Sequence, residues 1–170
     1  LAQGIGNEDQ SMIIFYMSSY GNTARMAEQI SEGAGEVEGV RVSLYDLQGG
    51  ETDSFVDLIE EADALLFGSP TINGDAVKPV WDLLSSLAVV NLKGKLGAAF
   101  GSFGWSGEAV RMIEDRMRGL KMHIPRSGLR VKLIPTEEEL EECRTFGRQI
   151  AEVLVGKSQK HAVVDFADLA

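Results

Sequence analysis

Basic residues are scarce in this sequence relative to acidic ones. Sixteen Lys and Arg stand against twenty-six Asp and Glu in 170 residues, which gives a formal net charge of −10. Nucleic acids and anionic membranes attract basic surfaces, so this balance argues against both as partners. It is compatible with docking onto a basic patch of another protein.

Cysteine and long apolar runs are also scarce. The one cysteine, Cys143, excludes a disulfide within the chain and fits a reducing compartment, so we expect a cytoplasmic protein. No apolar run reaches the roughly 18 residues that a membrane span needs. The start, LAQGIGNEDQ, has no basic stretch followed by an apolar core, so it is not a secretion signal. We interpret residues 1–10 as a linker, and the initial Leu suggests a segment of a longer protein.

Buried-strand patterns alternate with helical patterns along the rest of the chain. The apolar runs predict strands at residues 12–17, 40–47, 62–69, 95–102 and 129–135. Five helices are predicted. The first runs from the glycine loop to Gly35, the second begins after a cap at Thr52 or Ser54, and the third and fourth span about 76–87 and 107–118. The fifth begins at the capping box TEEE at 136–139. The last helix places Leu140, Cys143, Phe146, Ile150 and Val153 at core spacing. Residues 11–157 then form one domain, and 158–170 a tail or linker with weak structural signals.

Five strands alternating with five helices predict an α/β fold with right-handed crossovers. The parallel sheet is covered by helices on both faces, and we expect the strand order 2-1-3-4-5. Ligands in such sheets bind beyond the carboxyl ends of the strands, near the point where the strand order reverses. In this order, three loops of unusual composition become neighbours: SSYGNT, SPTING and SFGWSG.

The first of these loops has the composition of a phosphate-binding turn. Ser18, Ser19 and Thr23 supply hydroxyl groups, and Gly21 permits a tight turn and a close approach to an anion. Asn22 tolerates unusual dihedral angles, and the following helix directs free N–H groups into the loop. The alternative is an ordinary strand-to-helix turn with a helix cap. A Walker loop is excluded because no Gly-Lys-Ser/Thr follows.

The other two loops suggest a planar heterocycle beside the phosphate. Thr71 and Asn73 offer polar groups for a ring edge, whereas Asp75 is expected to cap the next helix. Trp105, on a glycine-rich loop, is well placed to cover a planar ligand, whereas Trp81, at helical spacing, is equally explained as a core residue. Flavin mononucleotide (FMN) fits this combination better than a dinucleotide, because the G-x-G-x-x-G spacing is absent although Asp46 lies near a strand end.

These motifs resemble a known family. SSYGNT resembles the flavodoxin phosphate loop, and GSPTINGDAVKPVW with FGSFGWSGEAV is similar to the flavodoxin-like domain of flavodiiron proteins (A-type flavoproteins). The resemblance covers residues 11–157 and implies a flavodoxin-like three-layer αβα sandwich. It implies that FMN is held by Ser18, Ser19, Tyr20, Gly21, Asn22, Thr23, Pro70, Thr71, Ile72, Asn73, Ser102, Phe103, Gly104, Trp105 and Gly107. Tyr20 departs from the family pattern, which has a small hydroxyl residue there.

The resemblance also implies partners. Flavodiiron proteins place a di-iron metallo-β-lactamase-like domain before this one, which reduces oxygen to water or nitric oxide to nitrous oxide with electrons from the flavin. The family forms homodimers in which one subunit's flavin faces the other's iron, and a rubredoxin or a flavin reductase supplies electrons. With only two histidines, His123 and His161, this chain is expected to be the flavin module without the iron module.

Four other functions are compatible with parts of this sequence or fold. A free-standing flavodoxin electron carrier would use the same site, and an NAD(P)H-quinone reductase of flavodoxin-like fold would turn over NAD(P)H by itself. A phosphoacceptor signalling domain is disfavoured because YMSSYGN has no acid at the end of the first strand. A module that has lost its flavin is disfavoured by the intact hydroxyl, glycine and Trp positions.

Overall fold

Five parallel strands form one sheet in the computed structural model, which describes residues 9–48 and 55–169, with side chains described through residue 156. The strands are β1 (Gln10–Tyr16), β2 (Val40–Asp46), β3 (Ala64–Gly68), β4 (Leu96–Phe103) and β5 (Leu129–Lys132). Their order in the sheet is β2-β1-β3-β4-β5, and every neighbouring pair is parallel. The predicted α/β class and strand order are confirmed.

Helices connect the strands and cover both faces of the sheet. They are α1 (Asn22–Gly35), α2 (Val56–Glu61), α3 (Lys78–Ser86), α4 (Glu108–Gly119) and α5 (Glu137–Leu169), with a 3-10 turn at Leu87–Val89. Successive side chains of a strand point to opposite faces. Ile13 and Phe15 therefore enter one buried cluster with α3 and α4, whereas Met12 and Ile14 enter a second with α1 and α5.

Helices α1 and α5 cross in direct backbone contact. A Cβ built on Gly147 would lie 2.0 Å from the carbonyl oxygen of Ile30, and one on Gly33 would lie 1.9 Å from that of Arg144. Arg144 also forms ion pairs with Glu32 and Glu36 across the rim of this crossing, at 2.9 and 2.5 Å. The glycines set the separation of the two helices, and the exposed ion pairs add little to it.

Three element predictions need correction or fall outside the described residues. Strand β5 ends at Lys132 and not at residue 135, because the chain turns away from the sheet there. Val153 is 41% exposed, and the neighbouring Leu154 is the buried residue. The expected caps of the second helix, Thr52 and Ser54, lie outside the described residues, and Phe55 is the N-cap of α2.

The carboxyl-terminal segment is helical in its backbone. Helix α5 continues to Leu169, through residues for which the sequence has only weak structural signals. No helix in the described part of the chain combines the length and apolar character needed to cross a membrane.

Candidate functional site

The carboxyl ends of β1, β3 and β4 meet at one edge of the sheet, where a cavity of about 210 Å³ opens to solvent. Its lining combines residues from four loops: Ser19, Tyr20, Asn22, Pro70, Thr71, Ile72, Ser102, Phe103, Gly104 and Leu133. Among these described lining residues, none carries a Lys, Arg, Asp or Glu side chain. Nine of these ten lining residues were predicted from the sequence to bind a ligand, and Leu133 was not.

The loop after β1 is ordered by the Ser18 hydroxyl. Its oxygen accepts hydrogen bonds from the backbone N–H groups of Gly21 and Ala24, at 3.0 and 3.2 Å. Gly21 is the N-cap of α1 and has φ +87°, a left-handed conformation that glycine adopts without strain. Because the Ser18 oxygen acts as acceptor, its own proton stays available to a ligand.

The amino terminus of α1 suits an anion. The first N–H groups of a helix have no intrahelical acceptor and carry the positive end of the helix dipole. The first turn of α1 contains no acidic residue, and a Cβ added to Gly21 would have no atom within 4 Å, so the approach to the turn is open. These residues fit a phosphate monoester without a cationic side chain.

Two buried hydroxyl groups join the loop after β1 to the loop after β4. Thr23 Oγ1 and Ser102 Oγ lie 2.8 Å apart, and the two residues are 1% and 8% exposed. A buried hydroxyl without a partner is costly, so each of these side chains satisfies the other. Thr23 therefore acts behind the cavity surface, as a tie between two loops.

Thr23→Val is expected to lower the free energy of unfolding by about 1–2 kcal/mol, because it leaves the Ser102 hydroxyl without its partner. Ser102→Ala should have a similar effect for the reciprocal reason. The double variant should cost about 1 kcal/mol less than the sum of the two single changes. Urea unfolding of the four proteins measures this coupling, and strictly additive losses would show that the hydroxyls act independently.

The loop after β3 contains a two-residue hairpin. Ile72 N–H donates to Asp75 O at 2.9 Å and Asp75 N–H donates to Ile72 O at 3.1 Å. The residues between them, Asn73 and Gly74, have φ angles of 54° and 74°, as a type I′ turn requires. The Asn-Gly pair thus explains how the chain reverses here, and it places Ile72 in the cavity wall with Asn73 outside the lining.

Pro70 and Thr71 join this hairpin to the loop after β4. Thr71 N–H donates to Ser102 O at 3.0 Å, extending the β3–β4 pairing by one bridge to Phe103. Thr71 Oγ1 accepts the N–H of Ala109 in the first turn of α4, at 3.1 Å. Ser69 Oγ donates to Pro70 O at 2.8 Å and accepts from Val77 N–H at 3.0 Å. The loops after β3 and β4 are therefore one hydrogen-bonded unit.

The expected role of Asp75 as the cap of α3 is wrong. Val77 is the N-cap of that helix and makes no side-chain capping bond. Asp75 Oδ1 instead accepts the indole N–H of Trp81 at 2.8 Å and the N–H of Ala76 at 2.7 Å. Trp81 packs partly buried against the core, so Asp75 anchors the end of the hairpin to α3 through this indole.

The loop after β4 exposes its tryptophan. The Trp105 side chain is 96% exposed and is not among the lining residues, and Tyr20 on the opposite loop is 93% exposed. Gly107 is the N-cap of α4, and a Cβ there would lie 3.0 Å from the Phe103 ring. Neither aromatic residue is buried in the fold: Tyr20 lines the cavity, and Trp105 directly follows the lining residue Gly104.

Leu133 is the lining residue that the sequence did not indicate. The prediction of a strand through residue 135 placed it inside β5, but its N–H donates to Phe103 O at 2.7 Å and its side chain faces the cavity. Pro135 and the capping Thr136 are the signals that the strand ends earlier. Within the described residues, no three His, Cys, Asp or Glu side chains are grouped to hold a metal ion.

Comparisons with known proteins agree with this geometry. A family model described as Flavodoxin matches residues 14–147. The chain is 55% identical over 170 residues to a Type A flavoprotein, fprA, of Rhodobacter capsulatus, and covers 100% of its own length but 39% of that relative. It thus spans less than half of that relative's length.

Solved structures include both longer proteins and single domains. The rubredoxin oxygen:oxidoreductase of Desulfovibrio gigas superposes with a TM-score of 0.82 at 30% identity, covering 89% of this chain and 38% of that one. A flavodoxin from the domain Archaea superposes with a TM-score of 0.74 at 35% identity, covering 85% of this chain and 99% of that one. The described fold therefore occurs both as a segment of longer oxidoreductases and as a whole flavodoxin.

Proposed function

The chain belongs to the flavodoxin family, and from this premise we propose that it is the FMN-binding electron-transfer module of a flavodiiron oxidoreductase. FMN is its cofactor. The observation that carries the proposal is the uncharged cavity, formed by four loops beside the open amino terminus of α1. The 55% identity to a Type A flavoprotein supports the flavodiiron assignment over a general flavodoxin one.

The chain's own residues bind and orient the cofactor. We infer that residues 18–23 hold the phosphate through the hydroxyl groups of Ser18 and Ser19 and through backbone N–H donors. Residues 70–73 and 102–107 hold the ribityl chain and the ring system. Bound FMN supplies one- and two-electron transfer. No side chain needs to act as nucleophile or general acid, so the protein acts through position, exclusion of water and electrostatics. A net charge of −10 disfavours added negative charge and should lower the midpoint potential.

The partners belong to the same proposal. We infer that electrons pass to a di-iron metallo-β-lactamase-like domain of the same protein, across a homodimer, and that oxygen or nitric oxide is reduced there. A rubredoxin or flavin reductase is the proposed electron donor. The length of the Rhodobacter relative, of which this chain covers 39%, leaves room for such a domain. The reading frame upstream tests this part, since a start codon directly before this segment would contradict it.

A second candidate is a free-standing flavodoxin carrier, supported by the 99% coverage of the archaeal flavodoxin. Both functions predict that the FMN-loaded chain, reduced chemically without oxygen, gives its electrons to an added acceptor such as cytochrome c. Both also predict no continuous oxidation of NADPH by the chain beyond that of free FMN. Sustained NADPH turnover would instead support the quinone reductase alternative.

Trp105→Ala is expected to weaken FMN binding roughly tenfold, the scale of one aromatic stacking contact. Because the side chain is 96% exposed, the midpoint of thermal unfolding without FMN should not change. Trp105→Phe, which keeps an aromatic plane, is the matched control and should retain most of the affinity. Quenching of flavin fluorescence measures the FMN affinity of both variants. Wild-type affinity in the Ala variant would show that Trp105 does not contact FMN.

A further inference from the structure

Leu133 combines two unfavourable properties at one position. Its φ angle is +59°, in the left-handed region where a bulky residue other than glycine is a genuine outlier. Its side chain is also 58% exposed, so burial in the fold recovers little for it. Sites that persist in such a conformation are often held there for function.

The residues around position 133 determine where the chain turns, but they do not require a leucine at the turn. Leu133 N–H donates to Phe103 O at 2.7 Å, which holds the residue at the edge of the sheet. Thr136 and Glu139 then form a reciprocal capping box at 3.0 and 3.1 Å. Ile134 precedes Pro135 and is restricted to extended conformations. The reversal between β5 and α5 therefore falls on residue 133, and Gly or Asn would make it with less strain.

The Leu133 side chain lies against the cavity. Its Cδ2 atom is 3.6 Å from the place where a Cβ on Gly104 would stand, which is an ordinary van der Waals distance, so Leu133 lies beside the loop after β4. It lines the same cavity as Thr71, Ser102 and Phe103. The exposed part of Leu133 thus belongs to the wall of the proposed cofactor site.

We propose that Leu133 is a cofactor-contact residue that closes the β5 side of the cavity and orients the bound FMN. The inference rests on the proposed function, since FMN is the ligand that would cover its exposed surface. When FMN is bound, this contact offsets the backbone strain at Leu133. Leucine at this position therefore favours cofactor affinity at some expense of stability in the cofactor-free state.

Three variants separate contact from strain. Leu133→Ala removes the contact and keeps the strained backbone, whereas Leu133→Gly removes both. Both should lower FMN affinity roughly tenfold, the scale expected for exposing a partly buried leucine. Without FMN, the Gly variant should unfold about 2–4 °C above the Ala variant. Ile134→Ala is the matched control, because Ile134 is 68% exposed, is adjacent and is not a lining residue.

The readouts are a fluorescence titration with FMN and thermal unfolding of the FMN-free protein. The proposal expects weaker binding in both Leu133 variants, unchanged binding in Ile134→Ala and a higher unfolding midpoint for Leu133→Gly than for Leu133→Ala. Wild-type affinity in the two Leu133 variants, or an equal loss in Ile134→Ala, would overturn it. If the wild-type chain did not bind FMN, the proposed function itself would be contradicted. Failure of the Leu133 proposal and failure of the proposed function are therefore distinguishable.

Discussion

Replacing Ser18 by Asp is expected to weaken FMN binding at least 100-fold while leaving the fold as stable as before. Ser18 accepts two backbone N–H groups at the start of α1, and a carboxylate accepts the same bonds. The helix dipole favours a negative charge at this end, so the free energy of unfolding should stay the same or rise by up to about 1 kcal/mol. The added charge stands where the phosphate is proposed to bind.

The size of this effect follows from electrostatics. At an effective dielectric constant of about 20, a unit charge and a dianion about 5 Å apart repel by roughly 7 kcal/mol. Screening by salt and water at an exposed site reduces this to about 3 kcal/mol, which is a factor of about 100 in affinity. Riboflavin, which lacks the phosphate, should be affected little.

Ser18→Asn is the matched control for this change. Asn is nearly isosteric with Asp, is also a good helix cap and carries no charge. It should therefore bind FMN much more tightly than the Asp variant at equal stability. FMN titrations at two salt concentrations measure the difference, and similar affinities for the Asn and Asp variants would show that the phosphate lies elsewhere.

Gly147→Ala is expected to lower the free energy of unfolding by about 3 kcal/mol or more. The added methyl group would lie 2.0 Å from the carbonyl oxygen of Ile30 in α1, and a backbone atom within a helix cannot rotate away. Helices α1 and α5 would have to separate, which disturbs the second core cluster and the helix whose amino terminus faces the cavity. Urea unfolding measures the loss.

Gly35→Ala provides the control for this prediction. Gly35 is also a helical glycine, the last residue of α1, and a Cβ there meets nothing within 4 Å. Because alanine favours a helix over glycine, stability should be unchanged or slightly higher. If the two variants unfolded at the same denaturant concentration, the close crossing of α1 and α5 would not be a feature of the folded protein.

Sequence patterns predicted the sheet well because buried parallel strands have a strong signature. The runs at β1, β3 and β4 are apolar on both faces, and each ends in a loop of small and hydroxyl residues. The alternation of strands and helices then leaves few arrangements, of which the observed order is one. The convergence of the three loops follows from that order, and it is the part of the candidate site that sequence reasoning reached.

Details that depend on tertiary contacts were not predicted. Asp75 has the right position for a helix cap, but the indole N–H of Trp81 is available six residues later and binds it. Leu133 continues an apolar strand pattern, and its φ angle of +59° shows that the strand has ended at Lys132. The glycines at positions 33 and 147 look like weak helix residues until the two helices are seen in contact. The assignment of individual residues to FMN stays a prediction.

The most direct test of the account is a pair of titrations on the wild-type chain, one with FMN and one with riboflavin, followed by quenching of flavin fluorescence. The account predicts saturable quenching by FMN at one site per chain, with riboflavin bound at least 100-fold more weakly because it lacks the phosphate that α1 is proposed to hold. Absence of quenching by FMN, or equal affinity for the two flavins, would contradict it.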